Sequence, residues 1–170
     1  PKVYLVDGLN KKLITNPAVF VGMGYNWASI KSTSVSELNK YSPGDDQSAI
    51  GNHINGSLIK TSDSPAVFLL ESGAKRSIPN PDVFSSRYHW DEIVTIFNDE
   101  MDNYSLGDRV GFRPGALTKV DNQAPVYVIT DTTKRWISSV QSFVNLGYRW
   151  DKIISTSTSE LNNYTTGENI

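Results

Sequence analysis

The feature that most constrains this chain is that it repeats itself. Val3-Tyr4-Leu5-Val6 returns as Val67-Phe68-Leu69-Leu70 and again as Val126-Tyr127-Val128-Ile129. Lys11-Lys12 returns as Lys75-Arg76 and Lys134-Arg135, and Ile14, Ile78 and Ile137 follow in step. Phe20, Phe84 and Phe143 correspond, as do Tyr25-Asn26-Trp27, Tyr88-His89-Trp90 and Tyr148-Arg149-Trp150. Each copy closes on an acidic–apolar pair, a tyrosine and a glycine: Glu37-Leu38, Tyr41 and Gly44; Glu100-Met101, Tyr104 and Gly107; Glu160-Leu161, Tyr164 and Gly167. A shorter leader, Gly56-Ser57-Leu58-Ile59-Lys60, is echoed by Gly115-Ala116-Leu117-Thr118-Lys119. A period of about 60 residues requires one supersecondary unit to be built repeatedly, with the same backbone role filled by the same residue types.

The unit reads as a small α+β module. A leader strand, such as Leu58 to Thr61, precedes a Ser/Asp/Pro turn and an apolar strand at 66–70. A tight turn at 71–74 leads into a second strand at 75–78, giving a β-hairpin. Asn16-Pro17 and Asn80-Pro81 then open a short helix, Asn capping free N–H groups and Pro standing where no N–H is needed; Ser139 keeps only the cap. Gly24 and Gly147 suit a left-handed helix end, whereas Arg87 stands there in the second copy, so strain or a changed ending is expected. Strands are expected at 30–33, 93–96 and 153–156, each followed by a second short helix. Ser34-x-x-Glu37 and Ser157-x-x-Glu160 fit a capping box, which Phe97 breaks in the second copy. The fold class is therefore α+β: a tandem repeat of three small modules, each a hairpin with short helices and additional strands. Their spans are 1–50 (without a leader strand), 51–110 and 111–170.

Composition narrows the chemistry. The 170 residues carry a net charge of -2, without the basic excess that a general nucleic-acid binder uses to release counterions. No apolar run reaches the roughly 20 residues that span a bilayer, so no membrane insertion is expected. There is no Cys, which removes thiol nucleophiles and disulfides, and His53 and His89 stand in no metal-binding spacing. Ser, Thr and Asn (20, 12 and 14 residues) make up about a quarter of the chain, a bias typical of exported bacterial surface proteins. The opening Pro1-Lys2-Val3 lies inside a strand-like segment with no signal peptide, so the chain reads as a piece of a longer protein with further domains.

Several residues invite a functional reading. Trp27, Trp90 and Trp150 could stack on sugar rings, but a Tyr-x-Trp present in every copy is first expected to be core. Alternation puts Lys12, Arg76 and Arg135 on the strand face of the core isoleucines, where a cation needs a partner. Glu37, Glu100 and Glu160 are the candidates. The competing reading makes Lys75, Arg76, Lys134 and Arg135 a repeated cationic site for an anionic polymer. Trp136 differs from its counterparts Leu13 and Ser77 and faces away from Ile137, so it is expected at least half exposed. With Lys134 it would form an aromatic–cation platform. Asn52, His53, Phe112 and Arg113 are expected to serve junctions between modules. The acidic run 98–102 lacks the spacing of a calcium loop. Asn55, Asn103 and Asn163 head Asn-x-Ser/Thr triplets, frequent by chance in so Ser/Thr-rich a chain.

No nucleophile elbow, phosphate loop or paired catalytic carboxylates occur, and no cofactor is called for. The pattern Val-Tyr-Leu-Val, Lys-Lys-x-Ile, Phe, Gly-Tyr-x-Trp, Ser-x-x-Glu-Leu, Tyr, Gly resembles short tandem repeats of exported bacterial cell-surface or cell-wall-associated proteins. Such repeats accompany cell-wall hydrolases and peptidases. The resemblance implies a non-catalytic, extracellular or cell-surface binding or anchoring region, for a cell-wall polymer or polysaccharide. The alternative is a structural spacer or a self-associating surface element.

Overall fold

A computed structural model describes residues 2–47 and 52–170. Pro1 and the expected border between residues 50 and 51 lie outside the described residues. Among those described, the chain is mixed α/β, with thirteen strands in three sheets and six short helices. It forms two compact units: Pro1–Ser77 with Trp90–Asp108, and Ile78–His89 with Arg109–Ile170.

The first unit opens with β1 (Val3–Asp7) and β2 (Asn10–Ile14), an antiparallel hairpin that sets Val3 opposite Ile14. α1 (Pro17–Gly22), a 3₁₀ turn at Trp27–Ser29 and α2 (Val35–Leu38) follow. β3 (Ser42–Pro43) then returns parallel to β2. The second sheet begins with β4 (Leu58–Thr61), β5 (Phe68–Glu71) and β6 (Ala74–Ser77). Ser72 and Gly73 both have positive φ, the primed turn that matches strand twist in a two-residue hairpin. The chain then contributes α3 (Pro81–Ser85) to the second unit. It comes back for β7 (Ile93–Ile96), α4 (Asn98–Met101) and β8 (Ser105–Gly107), completing the order β7-β4-β5-β6-β8.

The second unit holds β9 (Leu117–Val120), β10 (Val126–Thr130), β11 (Thr133–Trp136), α5 (Val140–Asn145), β12 (Ile153–Thr156), α6 (Thr158–Leu161) and β13 (Thr165–Thr166). Its order, β12-β9-β10-β11-β13, matches the preceding sheet, with the same antiparallel and parallel pairings. In both sheets the leader strand lies between the hairpin and the strand after the first helix. Apolar residues follow that arrangement: Ile59, Leu70, Val94, Ile96, Met101 and Tyr104 pack together in one unit, and Leu117, Val126, Val128, Ile137 and Phe143 in the other. Ile14, Val19, Phe20 and Met23 form a smaller cluster against the first hairpin.

Helix ends follow their sequence signals. Asn16, Asn80 and Ser139 accept the N–H of Val19, Val83 and Ser142; Ser34 and Ser157 accept that of Glu37 and Glu160. Phe97 supplies no side-chain cap. Gly24 and Gly147 sit at φ +74 and +72, where a side chain would be strained. The following tyrosines reach back five residues, Tyr25 N–H to Phe20 O and Tyr148 N–H to Phe143 O, closing a Schellman motif. The second copy takes the changed ending and not the strain. Phe84 and Tyr88 are one residue closer together, so Tyr88 N–H reaches Phe84 O over four residues and no left-handed residue is needed.

One expected strand is missing. Residues 30–33 carry no strand, although their counterparts are β7 and β12. Those two strands pair with leaders β4 and β9, and among the described residues no such strand lies beside β1 to provide that ladder. No helix among the described residues is long and apolar enough to cross a membrane.

Candidate functional site

The tryptophans are not core. Trp27, Trp90 and Trp150 are 49, 56 and 54% exposed, which corrects the expectation that they fill small module interiors. Phenylalanine takes that place: Phe20, Phe84 and Phe143 are buried. Phe20 and Phe143 each hold the tyrosine and the tryptophan of their own copy. Tyr25 tilts against Phe20 at 5.5 Å between centroids, and Trp27 stacks on Phe20 at 4.1 Å and 26°. Tyr148 lies 5.6 Å from Phe143, and Trp150 stacks on it at 3.9 Å and 18°. The 3₁₀ turns that begin at Trp27 and Trp150 swing each indole across its phenylalanine. One face of the ring is anchored and the other meets solvent.

Trp136 completes a site with Trp150. Both line a groove of about 230 Å³ with Ala124, Pro125, Val140 and Phe143. Trp136 ends β11, Trp150 starts its 3₁₀ turn, and Val140 opens α5. The groove covers part of Trp136, which is 38% exposed and not the half or more expected. No charged side chain lines it, and Ser138 and Ser139 are the hydroxyl residues of its lining. Ser138 Oγ donates to Ile170 O, and Ser139 caps α5. This lining suits a neutral ligand with an apolar face.

The recurring cations act inside the fold. Lys11, Lys75 and Lys134 donate to the carbonyls of Leu38, Met101 and Leu161 at 2.7, 2.9 and 2.8 Å. Each ammonium thereby closes the C-terminal end of a second short helix, where unpaired carbonyls concentrate negative potential. Lys134 also lies 6.0 Å from the Tyr127 ring. It is therefore engaged by Leu161 and Tyr127, and the expected platform with Trp136 is not formed. Arg76 pairs with Glu71 and donates through Nε to Asp108 O at 2.8 Å; Arg135 donates through Nε to Glu168 O at 3.0 Å. Lys12 pairs with Asp7 at 3.1 Å.

The recurring glutamates were expected as partners for those strand cations, but they serve other groups. Glu100 accepts the backbone N–H of His53 at 2.7 Å, contacts His53 Nδ1 at 2.6 Å and accepts the Tyr104 hydroxyl at 2.7 Å. His53 Nε2 lies 2.6 Å from Met23 O, so this buried ring ties the first copy to the second. Burial raises the Tyr104 phenol pKa, helped by the Glu100 carboxylate, and pushes Tyr25 up to about 12. Buried Glu160 accepts from Arg109 at 2.5 Å and from Asn80 at 2.9 Å. At the place of His53, the N–H of buried Phe112 donates to the Tyr164 hydroxyl at 2.6 Å. Arg87 donates to the Gly111 and Phe112 carbonyls. The junction role expected of His53 and Phe112 is thus given partners that spacing alone did not name.

A second cleft in the second unit, about 440 Å³, is lined by Arg113, Arg149, Asp151 and Lys152 with Ser85 and Tyr148 among others. Arg149 grips Asp151 through two nitrogens, at 3.0 and 2.9 Å, and holds its carboxyl below the usual range. Lys152 Nζ lies 3.9 Å from the same carboxylate. Among the described residues no three His, Asp or Glu side chains converge as metal ligands. Set against known protein families, curated proteins and solved structures, the chain matches none of them.

Proposed function

We propose that the chain is a tandem array of three α+β modules, residues 1–50, 51–110 and 111–170, acting as a non-catalytic binding region of an extracellular bacterial protein. Its ligand is a neutral carbohydrate, cell-wall glycan included. The observation that carries this reading is the set of half-exposed indoles, two of them stacked flat on buried phenylalanines. A pyranose presents an apolar C–H face that packs on an indole, while its hydroxyls remain solvated. A ring already fixed by stacking loses little freedom on binding, so more of the contact energy appears as affinity. The Trp136–Trp150 groove adds a second indole and excludes charge, which favours a neutral polymer over an anionic one. Internal use of Lys75, Arg76, Lys134 and Arg135 argues the same way.

Repetition supplies what a single shallow platform lacks. Linked weak sites convert later contacts into intramolecular ones, raising avidity without new chemistry. The spacer alternative draws on the polar ties of His53 with the Met23 carbonyl and of Asn80 with Glu160, which connect consecutive copies. Co-sedimentation with insoluble cellulose, chitin and purified cell walls tests the binding reading. The native chain should be retained on at least one polymer. Loss of one anchoring indole, as in Trp150→Leu, should weaken retention by about 30-fold, as for a binding hot spot of about 2 kcal/mol. Absence of retention on every polymer, or equal retention of Trp150→Leu, would leave the spacer reading standing.

A further inference from the structure

The His53 ring lies between two oxygens, and each of its nitrogens has to give a hydrogen. Nε2 is 2.6 Å from the Met23 carbonyl, which can only accept. Nδ1 is 2.6 Å from Glu100 Oε1, an oxygen that also accepts the His53 backbone N–H and the Tyr104 hydroxyl, each at 2.7 Å. A neutral imidazole has one N–H and serves only one of these oxygens. An oxygen that already accepts from an N–H and an O–H favours the ionised carboxylate, so the hydrogen between it and Nδ1 belongs to the ring. The side chain is 1% exposed, which places this charge inside the fold.

The surroundings fit an imidazolium. Met23 caps α1, so its carbonyl stands at a helix end where a cation is favoured. The Tyr25 ring meets the imidazole edge-on, 5.2 Å between centroids. Among the described residues, the ionisable side chains against the ring are Glu100 on α4, Tyr104 just after it, and Tyr25 just after α1. Burial keeps both phenols protonated above their usual range, so the opposing charge is that of Glu100. In the third copy Phe112 takes the place of His53, and Glu160 pairs there with Arg109, whose charge does not titrate.

We infer that His53 is a proton-operated latch that fastens the first copy to the second. With both hydrogens in place, the ring bridges the Met23 carbonyl and the Glu100 carboxylate. Once the Nδ1 hydrogen leaves, a lone pair faces a carboxylate oxygen in a buried contact, and the ring is released. Histidine in an unfolded chain is mostly neutral above about pH 6.5, so folding takes up this proton. The joint is therefore firm at low pH and loosens as the pH rises through the loss of the proton. The latch does not depend on carbohydrate binding.

The test follows the whole 15N-labelled chain by NMR from about pH 5 to about pH 9, a span that brackets ordinary histidine titration. His89→Gln, a change at an exposed residue, leaves a single ring to assign. At the acid end both ring nitrogens of His53 should carry hydrogens and show imidazolium shifts. As the Nδ1 hydrogen is lost, NOEs between Gly24 and Val94, packed together across the joint, should weaken. Those between Val3 and Ile14 within the first hairpin should persist. The unfolding constant of the first unit in denaturant should rise over the same interval by up to about tenfold per pH unit. Glu100→Gln should bring the loss of the Nδ1 hydrogen to lower pH by about one unit or more. Four results would overturn the inference: a single ring N–H at the acid end, both hydrogens retained throughout, a joint and an unfolding constant that do not respond when Nδ1 loses its hydrogen, or no displacement in Glu100→Gln. The first three are read without altering the latch, so they stand even where Glu100→Gln does not fold.

Discussion

Trp136→Ser replaces the indole with the residue found at the same place in the second copy. Sequence correspondence alone treats this as a surface change costing under about 1 kcal/mol. The structure changes the magnitude. With 38% of Trp136 exposed, roughly three-fifths is covered by its groove, or about 150 Å² of an indole side chain. At about 25 cal/mol per Å² that is an upper bound near 4 kcal/mol. Residual burial in the unfolded chain, and the apolar walls that stay in contact with one another, lower it to about 2 kcal/mol. For a chain of this length that corresponds to a fall in melting temperature of about 4–8 °C. Trp136→Leu, which installs the first copy's residue, keeps most of the covered aliphatic contact and should cost about half as much. Denaturant unfolding monitored by circular dichroism reads both values, and co-sedimentation of Trp136→Leu separates loss of the aromatic plate from loss of fold. A cost below about 0.5 kcal/mol for Trp136→Ser would refute the packing argument, because the groove would then contribute nothing to the folded state.

Three further outcomes are expected. Gly24→Ala and Gly147→Ala share a left-handed backbone, but a Cβ at Gly24 would stand 2.6 Å from Thr95 O and 2.9 Å from Val94 Cγ1, whereas at Gly147 nothing lies within 4 Å. The second change should cost about 1 kcal/mol, and the first at least about 3 kcal/mol, in denaturant unfolding. Phe97→Ser supplies the side-chain cap that α4 lacks and removes an exposed ring, so the first unit should gain about 0.5–1 kcal/mol in the same assay. Tyr25 holds its proton to about pH 12 in the folded chain, against a usual value of 10.0. The unfolded chain therefore loses that proton first. The contribution is fully present below about pH 10 and disappears as the pH rises through 12, by up to about 3 kcal/mol. Alkaline unfolding followed by tyrosinate absorbance should lose part of this dependence in Tyr25→Phe; an unchanged profile would assign it to other groups.

Much of the local structure was written in the chain. Asn16, Asn80 and Ser139 each form the helix cap that their position announces, and Phe97 fails to cap as expected. These are contacts across a few residues, governed by backbone geometry and side-chain reach. The hairpins were legible for the same reason, since a turn and two apolar runs determine their own register. Recurrence of Tyr-x-Trp established that one ring position matters in every copy, but not which ring would be inside. That choice was tertiary: Phe20 and Phe143 lie on helix faces turned to their sheets, leaving the indoles stacked outside them. The lysines also depended on distance in space. Alternation placed them on a strand face, yet an ammonium on a long flexible stem reached a helix end 27, 26 and 27 residues away, at Leu38, Met101 and Leu161. Trp136 and Trp150 are separated by a helix and become neighbours only when β11 and the 3₁₀ turn close one groove. Local signals determine the elements because they act through bonded geometry. Which side chains share a surface depends on how those elements pack, and packing is decided by burial summed over the whole unit.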